Sequence, residues 1–577
     1  MLLAMLFLSA CGGGGGSSSS PAPSAPEPPS QTPTNPNPGG GASPPNPDPG
    51  GGAGSSNPDP TPDPDPTPPV VSPTPEVSRE EAVVFLSQAT FGATDEDIAN
   101  LQATSYEAWI DNQFTLPVSG HLEYMGILPE PASAAEGQTH RLEAFYNHAV
   151  NGEDQLRQRV ANALSQIFVV SESGNLSKTP DGLAHYYDLL SNHAFGNFRE
   201  LMEAVTLNPA MGVYLSMLGN EKPNEVLNIR PDENYARELM QLFTIGLVEL
   251  NIDGSVVLVG GQPVPTYNQA VIEGFAHVFT GWNFAEAPTF QTRRANFLEP
   301  MTANQDFHDT GEKLLLNGVV LPANQTAEQD LEAALDNIFA QKNVAPFISK
   351  QLIQRLVTAN PSPEFVARVA GVFNNNGNDI KGDLQAVIKA ILLDEEARGD
   401  NNGKLVEPLN RLIALWRAYD AASDSGRYIL REPQAFFAQA PLRAPSVFNF
   451  YSPSYAPAGE LTRAGLVSPE MQITNETTVA TTNDALAFTI FTLHTLNPDR
   501  EVKSVSIDFT EHLEASEDAA ALLDEVSLKL LGTPAPESFR SETIALIEQT
   551  PPSNQAGRIS EAIHAVATSL EFAVLGD

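Results

Sequence analysis

"RPDENYARELMQLFTIG", residues 230–246, decides the fold class. At about 100° per residue on a helix, Glu233, Asn234, Arg237, Glu238, Gln241 and Thr244 fall within one arc of roughly 140°. Tyr235, Ala236, Leu239, Met240, Leu242 and Phe243 take the other side, as in a helix with one face on a core. Pro231 suits a first-turn position, and Asp232 and Glu233 complement the positive end of the helix dipole. Arg237 stands four residues after Glu233, the spacing of an intrahelical ion pair.

The same spacing of three and four recurs on both sides of this stretch. EDQLRQRVANALSQIFVV, LAHYYDLLSNHA and FRELMEAVTLN precede it; VAPFISKQLIQRLV, EPLNRLIALWRAYDA and GRISEAIHAVATSLEFAV follow. Thr94 with Asp97 three residues on reads as a capping box. Strand signals are few. In KLLLNGVVL (313–321), Asn317-Gly318 between apolar triplets predicts a type I′ hairpin, and NIDGSVVLVGGQPVP (251–265) predicts a looser one. The expected fold is therefore mainly α: a large multi-helix domain over 78–577 with one or two small inserted β-hairpins. A division near residue 400 is left open.

Before this domain the chain changes character. Residues 1–10 are an apolar run ending Leu8-Ser9-Ala10, followed by Cys11, the single cysteine. This resembles the lipobox of bacterial lipoproteins and predicts a signal peptide cut before Cys11, whose acylation would anchor the chain to a lipid bilayer. The usual positive n-region is missing and would lie upstream of Met1. Gly12 rather than Asp follows the cysteine, so the expected destination is the outer membrane, on its periplasmic or cell-surface side. Residues 11–77, rich in Pro, Gly, Ser and Asp, hold too little apolar surface to offset ordering entropy and predict a disordered tether. At about 3.1 Å per residue in its Pro-rich parts, the tether reaches on the order of 100 Å.

Charge narrows the function. Against 31 Lys+Arg stand 71 Asp+Glu, a formal net charge of −40, which repels phosphates and argues against nucleic-acid binding. One cysteine excludes an intrachain disulfide and any multi-cysteine metal site.

Several stretches in order resemble the bacterial domain-of-unknown-function family numbered 1800. They are FLSQATFGAT (85–94), HAFGNFRELMEAVTLNPAMGVYLS (193–216), PDENYARELMQLFTIGL (231–247), FAHVFTGWNF (275–284), FHDTGEKLLLNG (307–318), APSVFNFYSPSYAPAG (444–459), SPEMQITNE (468–476) and the closing ATSLEFAV. The resemblance implies an exported, mostly helical protein. It implies a partner too, because such genes often lie beside one for an exported protein resembling sulfatases and alkaline phosphatases. It brings no established activity. His277 stands where the family more often has Arg, and Leu570 where it usually has Pro.

The candidate site residues follow. On the opening helix, Glu233 and Glu238 are an acid and base, or ligands of a divalent cation, with Arg237 depressing their pKa values; the alternative is a solvated or structural face. His308 and Asp309, within His-Asp-x-Gly-x-Lys, are a metal-ligand pair or a turn cap. Asn234, Trp282, Phe450, Tyr451 and Tyr455 are candidate binding residues, the last three in SVFNFYSPSYAP (446–457), which suits sugar stacking or a partner surface. His140 and His148, like His185 and His193, are eight apart and lack the spacing of a helical zinc site. No nucleophile elbow, phosphate loop or dinucleotide fingerprint is present. Two functions remain: a tethered binding or scaffolding protein for an exported hydrolase-like partner or polysaccharide, and a carboxylate- or metal-dependent hydrolase.

Overall fold

Ser78 opens the first helix, Arg79–Ala89: its hydroxyl accepts from the Glu81 amide while Glu81 reaches back to the Ser78 amide. Thr326 and Gln329 close the same reciprocal box on Ala327–Phe339. At Thr94 only half of the expected box forms. The hydroxyl accepts from the Asp97 amide at 3.0 Å, but the Asp97 carboxylate turns away to accept from Arg417 Nη2 at 2.7 Å. A long-range charge partner wins over the local one.

The computed structural model describes residues 77–291, 295–399, 403–496 and 505–575. The signal segment, Cys11 and all of the tether but Val77 lie outside them. Among the described residues are twenty-four α-helices and five two-stranded sheets, so the mainly α expectation with small β insertions holds. None of these helices is long and apolar enough to cross a membrane.

Apolar faces direct the packing. Ala134–Asn151, Gln155–Ser165, Pro180–His193 and Pro408–Ala418 pack together in the middle, and nearly every residue of Gln155–Ser165 and Pro408–Ala418 is buried. Phe85, Tyr186, Phe198, Phe243 and Phe275 are wholly enclosed, and burial stabilises by about 1.5–3 kcal/mol for each large apolar side chain. One hydrophobic cluster includes both Ala82 and Ala567 and runs across residue 400. The first helix packs on Ala519–Leu531, so the two ends of the domain meet. Arg417, 4% exposed, ties the segments together by donating to the Gly92, Ala149 and Val150 carbonyls as well as Asp97.

Both hairpins form. Lys313↔Leu321 and Leu314↔Val320 pair antiparallel, with Asn317 at φ 58° and Gly318 at φ 72°, the two left-handed residues a type I′ turn requires. Leu258↔Pro263 and Val259↔Gln262 form the tip of the second, and Val248↔Pro265 and Leu250↔Val256 continue the excursion towards its base. Asn343 holds that base: its Nδ2 donates to the Ile245 and Val248 carbonyls at 2.9 and 2.8 Å, and its Oδ1 accepts from the Leu250 amide at 2.9 Å.

Candidate functional site

The opening helix departs from its ideal geometry halfway along. Asn234–Glu238 is α-helical, but Leu239–Thr244 widens into a π turn, and the Thr244 hydroxyl donates to the Leu239 carbonyl five residues back at 2.6 Å. Each residue of such a turn advances by less than 100°, so the polar arc drawn on an ideal helix does not survive. Thr244 becomes fully buried and Glu238 is only 7% exposed. Gly246 ends the element at φ +73°, where a Cβ would stand 2.8 Å from the Phe347 ring.

The polar face is divided even before that turn. Glu233 pairs with Arg237 Nη2 at 2.9 Å and accepts from Gln269 Nε2 at 3.0 Å, a half-exposed clamp onto the helix Gln269–Val278. Asn234 is exposed. Glu238 faces inward, and its Oε2 is buried without a hydrogen-bond partner. Burial raises its pKa, and the Arg237 charge only partly opposes this, the reverse of the depression expected from sequence. Burial also pushes Tyr214 and Tyr267 up to about 12, with the Glu238 charge acting in the same direction. Glu238 is thus suited to holding a proton, but Glu233 is already engaged elsewhere.

His308 and Asp309 do not form a ligand pair. His308 is fully buried; its Nδ1 lies 3.0 Å from the Thr280 carbonyl and its Nε2 lies 2.9 Å from Asp330 Oδ2. Both ring nitrogens therefore face acceptors and neither is free for a metal. Lys313 Nζ completes the cluster, 2.7 Å from Asp330 and donating to the Asp309 and Gly311 carbonyls at 2.6 and 2.9 Å. The Asp309 side chain instead binds His277 Nδ1 and accepts from the Gly311 amide at 2.8 Å. The His277 hydrogen bond is the main cause holding the Asp309 carboxyl down at about 2. Among the described residues no group of three or more His, Cys, Asp or Glu side chains could hold a metal ion.

Two of the aromatic candidates are buried. Trp282 is buried in a strand pairing with Ala303. Tyr451 is buried too, its hydroxyl against the Glu407 carboxylate and 2.9 Å from Gln166 Oε1. Phe450 and Tyr455 are partly exposed, whereas neighbouring Phe448 is 57% exposed.

Tyr451 leads to a feature that the sequence reading missed. A cavity of about 650 Å³ lies between the first helix, Pro408–Ala418 and the closing segment, lined among others by Arg159, Lys404, Glu407, Asn410 and Arg411. Glu407 accepts from Gln166 Nε2 and Asn410 Nδ2, each at 2.9 Å. Burial works to raise its pKa, but the Arg159 and Lys404 charges and the Tyr451 and Gln166 hydrogen bonds hold it below the ordinary value. None of Glu233, Glu238, His308 and Asp309 lines this cavity.

The model of the family described as "Protein of unknown function (DUF1800)" matches residues 84–574. The chain belongs to that family. No match is found among curated proteins or among solved structures. The DUF1800 match spans the divided polar face, the buried histidine cluster and most of the cavity lining alike, so it does not single out one of them.

Proposed function

We propose that this DUF1800 chain is an exported lipoprotein, tethered to the outer membrane through acylated Cys11, that binds or scaffolds an exported hydrolase-like partner, polysaccharide, or both. The observation that carries binding over hydrolysis is the β excursion at 247–265. Leu247, Ile252, Val256, Leu258 and Val259 are 56, 46, 41, 58 and 70% exposed, along an arm of turns and short paired strands held at its base by Asn343. Apolar side chains gathered on this arm support a protein-contact role. The hydrolase reading is favoured by Glu238, a carboxyl able to hold a proton, with Tyr214 and Tyr267 within reach of its charge but with Glu233 engaged elsewhere.

The test places a photo-crosslinking residue at position 259 of the full chain in its native cells, with a control at the exposed Glu542. The expected result is a discrete adduct from position 259 only, identified as an exported hydrolase-like protein or a glycan and abolished by Leu258→Asp. Adducts formed equally from both positions, or none from 259, would remove the arm as the contact.

A further inference from the structure

Buried cations gather beneath the 650 Å³ cavity. Acidic residues outnumber basic ones 71 to 31 overall; here the lining carries Arg398 with Glu80, Glu81 and Glu571, and deeper in lie four cations, Arg159, Arg355, Lys404 and Arg411, with two carboxylates, Glu407 and Glu470. All six are less than 9% exposed. Lys404 pairs with Glu470, and Glu407 is occupied by Gln166, Asn410 and Tyr451. Among the described residues, no carboxylate lies within ion-pair distance of Arg159, Arg355 or Arg411.

The arginines are held by carbonyls instead. Arg355 donates to the Gln351 and Gln166 carbonyls at 3.1 and 3.0 Å. Arg159 gives Nη2 to the Arg355 carbonyl at 3.0 Å, and Arg411 gives Nη2 to the Ala567 carbonyl at 2.8 Å. The Nε groups of Arg159 and Arg411 are buried without acceptors, and each Nη1 has no protein partner among the described residues. Burial alone lowers Arg411 to about 10, with no neighbouring acid to oppose it. A buried cation without an opposing charge costs several kcal/mol; Arg411 has no such charge and Arg159 shares that of Glu407 with Lys404, so an anion in the cavity would offset that cost.

We propose that this cavity binds a small molecule by a single oxyanion group, a carboxylate, phosphate or sulfate, seated between Arg159 and Arg411. Both arginines line the cavity, and a guanidinium presents paired donors that match an oxyanion. The rest of the ligand is neutral or cationic and partly apolar. Glu80, Glu81 and Glu571 on the lining would repel a second anion, and Val83, Phe91, Phe572 and Val574 offer apolar contact. The volume falls within the range of small-molecule sites, roughly 300–1,000 Å³, and exceeds what a bare phosphate fills. This site is independent of the partner-binding arm.

The experiment titrates the full chain calorimetrically with inorganic phosphate and with phenyl phosphate, which adds an apolar body to the same head. Saturable binding at one site is expected, tighter for phenyl phosphate. Arg411→Gln should weaken it at least about tenfold, the effect of losing one charge-assisted hydrogen bond, while Arg411→Lys retains part of it. Arg368→Gln, which alters an exposed ion pair elsewhere, should change nothing. Should Arg411→Gln fail to fold, a selenate soak of wild-type crystals decides: anomalous density between Arg159 and Arg411 supports the site. No saturable binding of either compound, equal weakening by Arg368→Gln, or selenate only elsewhere would overturn it.

Discussion

Replacing Gly274 with alanine is expected to lower the unfolding free energy by on the order of 4 kcal/mol, at the upper end for a single methyl group. Gly274 sits on the helix Gln269–Val278 where the Lys313–Leu314 strand crosses it. A Cβ there would stand 1.9 Å from the Leu314 carbonyl oxygen and 2.8 Å from its carbon. The obstacle is backbone, which cannot rotate aside like a side chain, so helix and hairpin must separate by more than an ångström. That separation would also disturb Lys313 and the histidine cluster beneath. Denaturant unfolding of the variant checks this against Gly371→Ala. Gly371 lies in the exposed face of Pro363–Asn374 with nothing within 4 Å of its added Cβ. There alanine should stabilise by about 0.5–1 kcal/mol, through helix propensity. A Gly274→Ala loss below about 1 kcal/mol would mean that the hairpin does not rest on this helix.

The second large effect is expected at Asp330. Its carboxylate, fully buried, is the counter-charge of Lys313 at 2.7 Å and the partner of His308 at 2.9 Å. In Asp330→Ala, Lys313 keeps its two carbonyl acceptors but loses its charge partner, and His308 Nε2 is left facing an apolar methyl. Breaking a buried pair in this way costs about 3–5 kcal/mol, measurable as a lowered denaturation midpoint. Asp309→Asn should cost much less, because Asp309 is partly solvated at its contact with His277. Equal costs at the two positions would contradict the separation of His308 from Asp309.

Periodicity in the sequence was sufficient for the helices because each buries one apolar stripe, and that stripe repeats locally. Asn317-Gly318 likewise announces its own turn. What was not legible depends on partners remote in the chain or on departures from ideal geometry. The π turn at Leu239–Thr244 carries no local signal, yet it moves Thr244 into the core; Glu238 precedes that turn, about 140° round the α-helical segment from Glu233, and its flank is covered by remote parts of the chain. His308 finds Asp330 twenty-two residues on, inside another helix, so adjacency to Asp309 misled. Arg159 and Arg411 stand at polar positions of two helical stretches whose enclosure the sequence does not signal: Gln155–Ser165 and Pro408–Ala418 are covered on nearly all sides. A polar residue on an enclosed helix looks the same in sequence as one on an exposed helix.

If the chain works by binding, Glu233, Glu238, His308 and Asp309 never act as one hydrolytic centre. Elemental analysis of the full chain, purified without chelator, tests this most directly when run beside Glu238→Ala/Asp309→Asn. The expected result is no stoichiometric metal in either protein. One equivalent of metal in the wild type, lost in a double variant that remains folded, would place those side chains in a common site and contradict the division described here.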